Sequence, residues 1–277
     1  MDSLAYILSP SFSGSTLLTL LLSTHPSIAT IGELKATPLG DVSDYQCSCG
    51  SPILECSFWK EVAECMMIKG HLFSPAKFDT TFKGNSWFSE RVISSSLQGP
   101  VLEVIRHTAI RAIPSVKVRY ESLISRNLAM MESICEISGG RVFLDGSKDA
   151  VRLCYLAKSI STNLRTIFLI RDGRGQTCSY MRHYGVAMSV AVDEWLHTQR
   201  ECRRVMKTIP SSQFLRVQYE KLCRDPMTIM DNIYRFLGLN PDLGSLTYIA
   251  QEHHILGNSM RLRKITDLHL DERWHKE

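Results

Sequence analysis

A short polar loop near the start of the chain has the residue types of an anion-binding site. Residues 9–15 are rich in Ser and contain Gly14, and they lie between an apolar run and a leucine-rich segment. Small residues let backbone N–H groups turn inward, and the amino terminus of the following helix adds partial positive charge. The hydroxyls of Ser13, Ser15 and Thr16 can add donors. The pattern alone is equally typical of a Ser/Gly-rich turn without a ligand.

One departure separates this loop from the phosphate loops of kinases and ATPases. Those loops need a lysine directly after their last glycine, followed by a Ser or Thr that holds magnesium. Here Gly14 is followed by Ser15. The sequence therefore argues against ATP hydrolysis and against a kinase reaction.

A second anion-binding feature follows the clearest apolar run of the chain. Arg171 comes directly after residues 164–170, and Ser179 lies on the predicted helix that follows. A planar guanidinium fork at a strand end and a hydroxyl on the next helix can hold one phosphate from two directions. Taken alone, the segment is also consistent with a simple salt bridge between Arg171 and Asp172.

The elements that must position these residues are short apolar runs that alternate with amphipathic segments. The predicted strands are 4–8, 27–31, 141–145, 164–170 and 214–217. The predicted helices are 16–24, 58–69, 116–137, 148–160, one that begins near 174, 189–207 and 226–237, with partial helix over 75–97. This alternation predicts a three-layer α/β fold with a central parallel sheet covered by helices on both faces. In such sheets, ligands bind beyond the carboxyl ends of the strands.

The length and composition indicate one globular domain. The chain has 277 residues, 44% of them hydrophobic and 22% charged, and it contains no internal repeat and no long linker. A single domain over 1–277 is expected, with a partly helical insertion at about 35–100. The net charge of +4 is too small to indicate nucleic-acid binding. No apolar run is long enough to span a membrane and no signal peptide is recognisable, so we expect a cytoplasmic protein.

A cysteine cluster within the insertion leaves three alternatives open. Cys47, Cys49 and Cys56 lie close together in the sequence. They can be free thiols, as a reducing compartment favours, or they can include one disulfide. They can also bind zinc with a further ligand such as Cys65 or His71, although the spacing does not match the strong zinc motifs.

Four blocks of sequence, in their order along the chain, carry a family resemblance. They are 9–18 with His25-Pro26, Asp145-Gly146-Ser147-Lys148-Asp149, Arg171-Asp172-Gly173-Arg174 with Ser179, and Tyr219-Glu220-Lys221-Leu222 with the segment to Gly238. Together they resemble the sulfotransferase superfamily that uses 3′-phosphoadenosine 5′-phosphosulfate (PAPS) as sulfuryl donor. The resemblance implies a P-loop-like fold related to that of nucleotide kinases.

The resemblance also implies how PAPS is bound. Arg171 and Ser179 would bind the 3′-phosphate, which distinguishes PAPS from ordinary adenylates. The 5′-phosphosulfate would be held by the first loop, which comprises Ser11, Phe12, Ser13, Gly14, Ser15 and Thr16.

Within the superfamily, the layout is most similar to tyrosylprotein-type and bacterial-type enzymes. In those enzymes a Gly-Glu pair follows the second strand, and Gly32-Glu33 occupies that place. Glu33 would then be the catalytic base, and Lys148 would neutralise the bridging oxygen of the leaving group. His25 is a rival base, but the proline that follows it assigns it to the end of the first helix.

One position departs from the family pattern. Many relatives have Arg or Lys where this chain has Phe12. The backbone amides together with Lys148 can suffice, another basic residue such as Arg261 can substitute, or activity can be impaired. Arg261 lies in a segment that resembles a late block of some relatives, and an exposed charge without a role is the equal alternative.

The expected reaction moves a sulfuryl group from PAPS to an acceptor hydroxyl or amine. The sulfuryl group carries less charge than a terminal phosphoryl group, so we expect no metal. The acceptor can be a small molecule, a lipid, a carbohydrate or a protein tyrosine, and the sequence does not specify an oligomeric state. Alternatives are a nucleotide or small-molecule kinase on the same fold, or a catalytically silent nucleotide-binding protein, which Phe12 would fit.

Overall fold

A five-stranded parallel sheet forms the centre of the molecule. The computed structural model of the chain describes residues 1–35, 42, 45–94, 98–160, 163–247, 253 and 268–276. The strand order is β2-β3-β1-β4-β5, and every pairing is parallel. The strands are β1 (Ser3–Leu8), β2 (Ile28–Ala29), β3 (Val142–Asp145), β4 (Leu164–Ile170) and β5 (Phe214–Gln218).

Helices connect the strands and cover both faces of the sheet. In chain order they are α1 (Ser15–Leu22), α2 (Ser57–Ile68), α3 (Trp87–Ile93), α4 (Pro100–Ala112), α5 (Pro114–Ser138), α6 (Ala150–Ser159), α7 (Gly173–Tyr184), α8 (Met188–Met206), α9 (Tyr219–Arg224) and α10 (Pro226–Phe236). The predicted α/β architecture is confirmed.

The side chains of β1 show why the fold has three layers. Leu4, Tyr6 and Leu8 belong to a core cluster shared with α2, α5 and α6, whereas Ala5 and Ile7 belong to a second cluster with α1, α9 and α10. All five side chains are fully buried. Because successive strand residues point to opposite faces, a continuous apolar run can serve two cores at once.

Three elements differ from the sequence-based expectation. Of the predicted strand 27–31, Ile28 and Ala29 form β2, and Thr30 Oγ1 donates a hydrogen bond to Leu144 O on β3 at 2.7 Å. Helix α4 was not predicted, since Val101 and Val104 on it are exposed and blur its apolar stripe. Helix α9 is only six residues long and directly follows β5.

The parallel sheet brings the loops that follow its strands to one edge. The loops after β1, β2, β3, β4 and β5 all leave the sheet at the carboxyl ends of their strands, which is the edge where open α/β sheets bind ligands. We call this the carboxyl edge. Among the described helices, none combines the length and apolar composition that crossing a bilayer requires.

Candidate functional site

The loop between β1 and α1 places the amino terminus of a helix at the carboxyl edge. Gly14 stands at the N-cap position with a φ of 87°, a conformation that favours glycine. A Cβ atom added there would lie 2.4 Å from Tyr219 Cδ2. Among the described residues, no side chain caps the amino terminus of α1. Its first N–H groups are therefore candidates for binding an anion.

The two residues before Gly14 have internal roles. Ser13 is fully buried, and its Oγ donates to Pro10 O at 2.8 Å, which fixes the loop. Phe12 has a φ of 62°, and its ring packs against the rings of Tyr180 and His183 on α7. Phe12 therefore contributes its backbone to the loop, while its side chain anchors the loop to α7.

Glu33 and Lys148 meet at the carboxyl edge. Lys148 Nζ lies 2.6 Å from Glu33 Oε1, and both side chains remain partly exposed. The turns that carry them are joined, since Gly146 N donates to Gly32 O at 2.8 Å. An ammonium group and a carboxylate this close together can act on one reaction centre. The carboxylate can take up a proton there, and the ammonium can neutralise negative charge.

Backbone strain concentrates at this edge. Three non-glycine residues in the described part of the chain have positive φ, namely Phe12, Asp79 and Lys148. Two of them, Phe12 and Lys148, lie in the site. Such conformations persist only where the surroundings enforce them, and they cluster at functional sites.

A fully buried ion pair supports the turn that carries Lys148. Arg152 Nε lies 2.8 Å from Asp145 Oδ2, and neither side chain is exposed. The other carboxylate oxygen of Asp145 accepts hydrogen bonds from Ser147 N at 3.0 Å and Leu34 N at 3.3 Å. One carboxylate thus ties the turn after β3 to the residue that follows Glu33.

Arg171 and Ser179 come together as predicted from their spacing. Arg171 Nη1 lies 3.4 Å from Ser179 Oγ and 3.0 Å from Phe12 O, so the guanidinium also reaches the loop after β1. The guanidinium lies 4.8 Å from the centre of the Tyr219 ring. Burial raises the pKa of Tyr219 to about 12, so its phenol is neutral at physiological pH.

A carboxylate from the C-terminal segment lies within a group of three arginines. Asp271 oxygens lie 3.1 Å from Arg171 Nη2, 3.8 Å from Arg182 Nη2 and 2.7 Å from Arg273 Nε. Hydrogen bonds from Arg273, and then from Arg171, hold the pKa of Asp271 well below its usual range. We call Arg171, Arg182 and Arg273 the arginine cluster. All three guanidinium groups lie within 4 Å of one oxyanion, the Asp271 carboxylate.

Asp172 does not pair with Arg171. It caps α7 by accepting a hydrogen bond from Arg174 N at 2.9 Å, and its carboxylate pairs with the Arg174 side chain at 2.7 Å. The hydrogen bond from Arg174 lowers the pKa of Asp172. The simple salt bridge between Arg171 and Asp172 that the sequence allowed is therefore not formed, because Asp172 is engaged with α7.

The contacts of His25 indicate a structural role at the end of α1. Helix α1 begins at the carboxyl edge and ends at the opposite edge of the sheet, and His25 follows that end. Its Nδ1 accepts from Ser27 N and its Nε2 lies 3.0 Å from Asn240 O. Burial lowers its pKa, which favours the neutral ring. This geometry agrees with a helix end and not with a base at the site.

The structure thus gathers most of the sequence-predicted site at one edge. The segment Ser11–Thr16, Glu33, Lys148, Arg171 and Ser179 all lie there, whereas Arg261 is outside the described residues. Sequence reasoning missed Arg182, Asp271 and Arg273. Arg182 lies one helical turn after Ser179, a spacing that could have drawn attention to it. No sequence motif pointed to Asp271, which is 100 residues away from Arg171 in the sequence.

A family model matches one segment of the chain. Residues 151–242 match the model of the Sulfotransferase family. That segment includes Arg171, Ser179 and Arg182. No curated protein sequence matches the chain.

The chain is also similar to solved structures of low sequence identity. The sulfotransferase domain from the curacin biosynthetic pathway is 17% identical with a TM-score of 0.50, covering 96% of this chain and 84% of that domain. The sulfotransferase domain from the Synechococcus PCC 7002 olefin synthase is 20% identical, with a TM-score of 0.46 and coverages of 86% and 73%. Sulfotransferase STF9 from Mycobacterium avium is 16% identical, with a TM-score of 0.48 and coverages of 86% and 64%. Part of this chain is thus similar in sequence to the Sulfotransferase family, and the chain shares the α/β fold of the curacin-pathway domain.

Proposed function

We propose that the protein transfers a sulfuryl group from PAPS to an acceptor hydroxyl or amine, with Glu33 as the base. One observation carries the proposal: three features occupy neighbouring loops of the same sheet edge. They are a helix terminus that no side chain in the described part of the chain caps, an acid–base pair and the arginine cluster. These are the three parts that binding and reacting a 3′-phosphorylated phosphosulfate require.

The loop after β1 suits the 5′ end of the donor. Gly14 leaves no Cβ between the loop and Tyr219, and the amino terminus of α1 has N–H groups without a described side-chain cap. Such a terminus favours negative charge. Ser15 takes the place of the lysine that an ATP-hydrolysing loop would need, which disfavours the kinase alternative.

The arginine cluster suits the 3′ end of the donor. Arg171, Arg182 and Arg273 already surround one oxyanion, the carboxylate of Asp271. Guanidinium forks match the oxygens of a phosphate well, so the groups that hold the Asp271 carboxylate can also hold a phosphate. Ser179 Oγ lies 3.4 Å from Arg171 and 3.3 Å from Arg182, so its hydroxyl can join the same contact.

The reacting groups are Glu33 and Lys148. PAPS, when bound, supplies an activated sulfuryl group on a phosphate leaving group. The carboxylate of Glu33 would take the proton of the acceptor hydroxyl, and the ammonium of Lys148 would neutralise charge on the bridging oxygen. Their separation of 2.6 Å supports a common reaction centre. Fixed positions and charges of this kind are the main catalytic means in phosphoryl transfer, which is chemically related.

A transfer assay with ³⁵S-labelled PAPS tests the proposal. Acceptors would include small alcohols, lipids, carbohydrates and tyrosine peptides. We expect transfer to one class, with kcat lowered about 10²- to 10⁴-fold in Glu33→Gln, the usual range for loss of a general base. Glu121→Gln, an exposed change on α5, is the matched control and should leave kcat unchanged.

Two results would count against this assignment. Full activity in Glu33→Gln would move the base to another residue. Binding of the product nucleotide 3′-phosphoadenosine 5′-phosphate (PAP) without transfer to any acceptor would favour a silent nucleotide-binding protein. The placement of Phe12, an apolar side chain at a position where many relatives have a cation, is the observation that favours that second candidate.

A further inference from the structure

Four side chains of types that commonly bind metals lie close together, and none of them belongs to the candidate site described above. The Sγ atoms of Cys47, Cys49 and Cys56 and a ring nitrogen of His253 all lie within 4.8 Å of one another. His253 Nδ1 lies 3.4 Å from Cys47 Sγ and 3.3 Å from Cys56 Sγ, and Cys49 Sγ lies 3.7 Å from Cys56 Sγ. We call these four residues the Cys₃His group.

The backbone turns the three sulfurs toward one point. Cys47 N donates to Ser51 O and Gly50 N donates to Cys47 O, forming a tight turn in which Gly50 has a φ of 91°. Gln46 and Pro52 pair across the base of this turn. Cys56 then stands at the N-cap of α2, with its Sγ 3.7 Å from Cys49 Sγ.

The ring of His253 is held in place by an aromatic contact. Phe58, on the first turn of α2, stacks on it with ring centres 4.2 Å apart and an angle of 2° between the planes. This contact holds the imidazole so that Nδ1 faces Cys47 and Cys56. The ligand atom comes from a residue 197 positions after Cys56 in the sequence.

The spacing of the four atoms matches tetrahedral zinc. With Zn–S bonds of about 2.3 Å and a Zn–N bond of about 2.0–2.1 Å, tetrahedral geometry puts sulfurs about 3.8 Å apart and nitrogen about 3.6 Å from sulfur. The separations of 3.3, 3.4 and 3.7 Å lie near these values. A disulfide between Cys49 and Cys56 would need their sulfurs at about 2.05 Å and would leave Cys47 and His253 without a function.

We propose that Cys47, Cys49, Cys56 and His253 bind one zinc ion in a closed site. Three thiolates and an imidazole complete the four ligands of a structural zinc centre, with no open position for catalysis. The fourth ligand is neither of the residues that the sequence suggested. Cys65 is not part of the group, and His71 Nε2 lies 3.1 Å from Ser125 Oγ.

The consequence of this site is a link between distant parts of the chain. The ion joins the turn before α2 to residue 253, and its binding free energy adds to the stability of that arrangement. The site uses none of the residues proposed for sulfuryl transfer, so the two proposals can fail separately.

Metal analysis of the full chain tests the inference. Purified protein is reconstituted with Zn²⁺ under reducing conditions and then desalted. Elemental mass spectrometry should then find about one zinc ion per chain. Cys49→Ser and His253→Ala should each reduce zinc content and weaken zinc retention against a chelator by tenfold or more. Cys65→Ser and His71→Ala are the matched controls and should retain the ion.

Titration of the wild-type protein with Co²⁺ gives a second test that does not depend on the folding of any variant. Wild-type protein titrated with Co²⁺ alone should show the intense visible bands of tetrahedral cobalt bound by thiolates, saturating at one equivalent. The proposal is overturned if wild-type protein binds neither metal, or if peptide mapping finds a disulfide among the three cysteines. Unchanged zinc retention in His253→Ala would also overturn it, because the fourth ligand would then be another group.

Discussion

Replacing Asp271 by Asn should strengthen the binding of PAP. In the proposed donor site, the Asp271 carboxylate and the 3′-phosphate of the nucleotide compete for Arg171. The change removes the negative charge of this competitor while keeping a side chain of nearly the same size. It leaves the backbone contact between Asp271 O and Arg171 Nη2, at 3.2 Å, in place.

The size of the effect follows from the geometry of the pair. Arg171 and Asp271 side chains are 7% and 18% exposed, and their closest atoms are 3.1 Å apart. At an effective dielectric constant of 20, two unit charges at that distance attract by about 5 kcal/mol. Desolvation offsets most of this attraction, and hydrogen bonds to charged groups contribute about 1.5–3 kcal/mol net. Because Arg273 shares the carboxylate, we expect about 1–2 kcal/mol, or roughly 5- to 30-fold in Kd.

Isothermal titration of PAP into wild-type protein and Asp271→Asn measures this difference. Asp231→Asn is the matched control, since it breaks an ion pair with Arg235 on α10 that contains none of the residues proposed to bind the nucleotide. Unchanged or weaker PAP binding in Asp271→Asn would refute the reasoning. Asp271 would then position Arg171 for the phosphate instead of competing with it.

Three further predictions concern the loop, the buried ion pair and the end of α1. Gly14→Ala should abolish measurable PAP binding in titration, since the added Cβ would lie 2.4 Å from a Tyr219 carbon. Gly139→Ala is the control: Gly139 also has a positive φ, but its added Cβ would meet no atom within 4 Å, so this variant should bind PAP normally. Arg152→Leu leaves a buried carboxylate unpaired at a cost of about 3–5 kcal/mol, so Tm should fall by about 10 °C in a thermal melt. Because burial lowers the pKa of His25 from 6.5, the unfolded chain takes up a proton first as pH falls. His25 therefore supports stability above pH 6.5 and loses that contribution below it, and in urea unfolding the stability difference between wild type and His25→Gln should shrink from pH 7.5 to pH 5.

The architecture was predictable because each buried strand is a short apolar run. β4 spans the seven residues that the sequence indicated, and β1 and β3 agree to within one residue. The alternation of these runs with amphipathic helices specifies a parallel sheet. Helix α4 was missed because its apolar Val101, Val104 and Ile105 are exposed, whereas its charged Glu103 and Arg106 are buried.

The local parts of the site were predictable, but the contacts between distant segments were not. Gly14 and Arg171 each follow a strand, so the sheet brings them to one edge once its order is known. Asp271 and His253 come from late segments with no motif, and only the fold brings them to Arg171 and to Cys56. The pairing of Arg152 with Asp145 is local, since Asp145 ends β3 and Arg152 lies in the first turn of α6, the next helix. The complete burial of this pair also depends on Thr80 and Asn127, which accept hydrogen bonds from the same guanidinium.

Comparison of PAP with 5′-AMP tests the proposed donor site most directly. The two ligands differ by the 3′-phosphate, which we assign to Arg171 and its neighbours. Titration calorimetry should show wild-type protein binding PAP at least tenfold more tightly than 5′-AMP, and Arg171→Ala should remove most of that difference, whereas Arg200→Ala, an exposed change on α8, should preserve it. Equal affinity of wild-type protein for PAP and 5′-AMP would contradict the account.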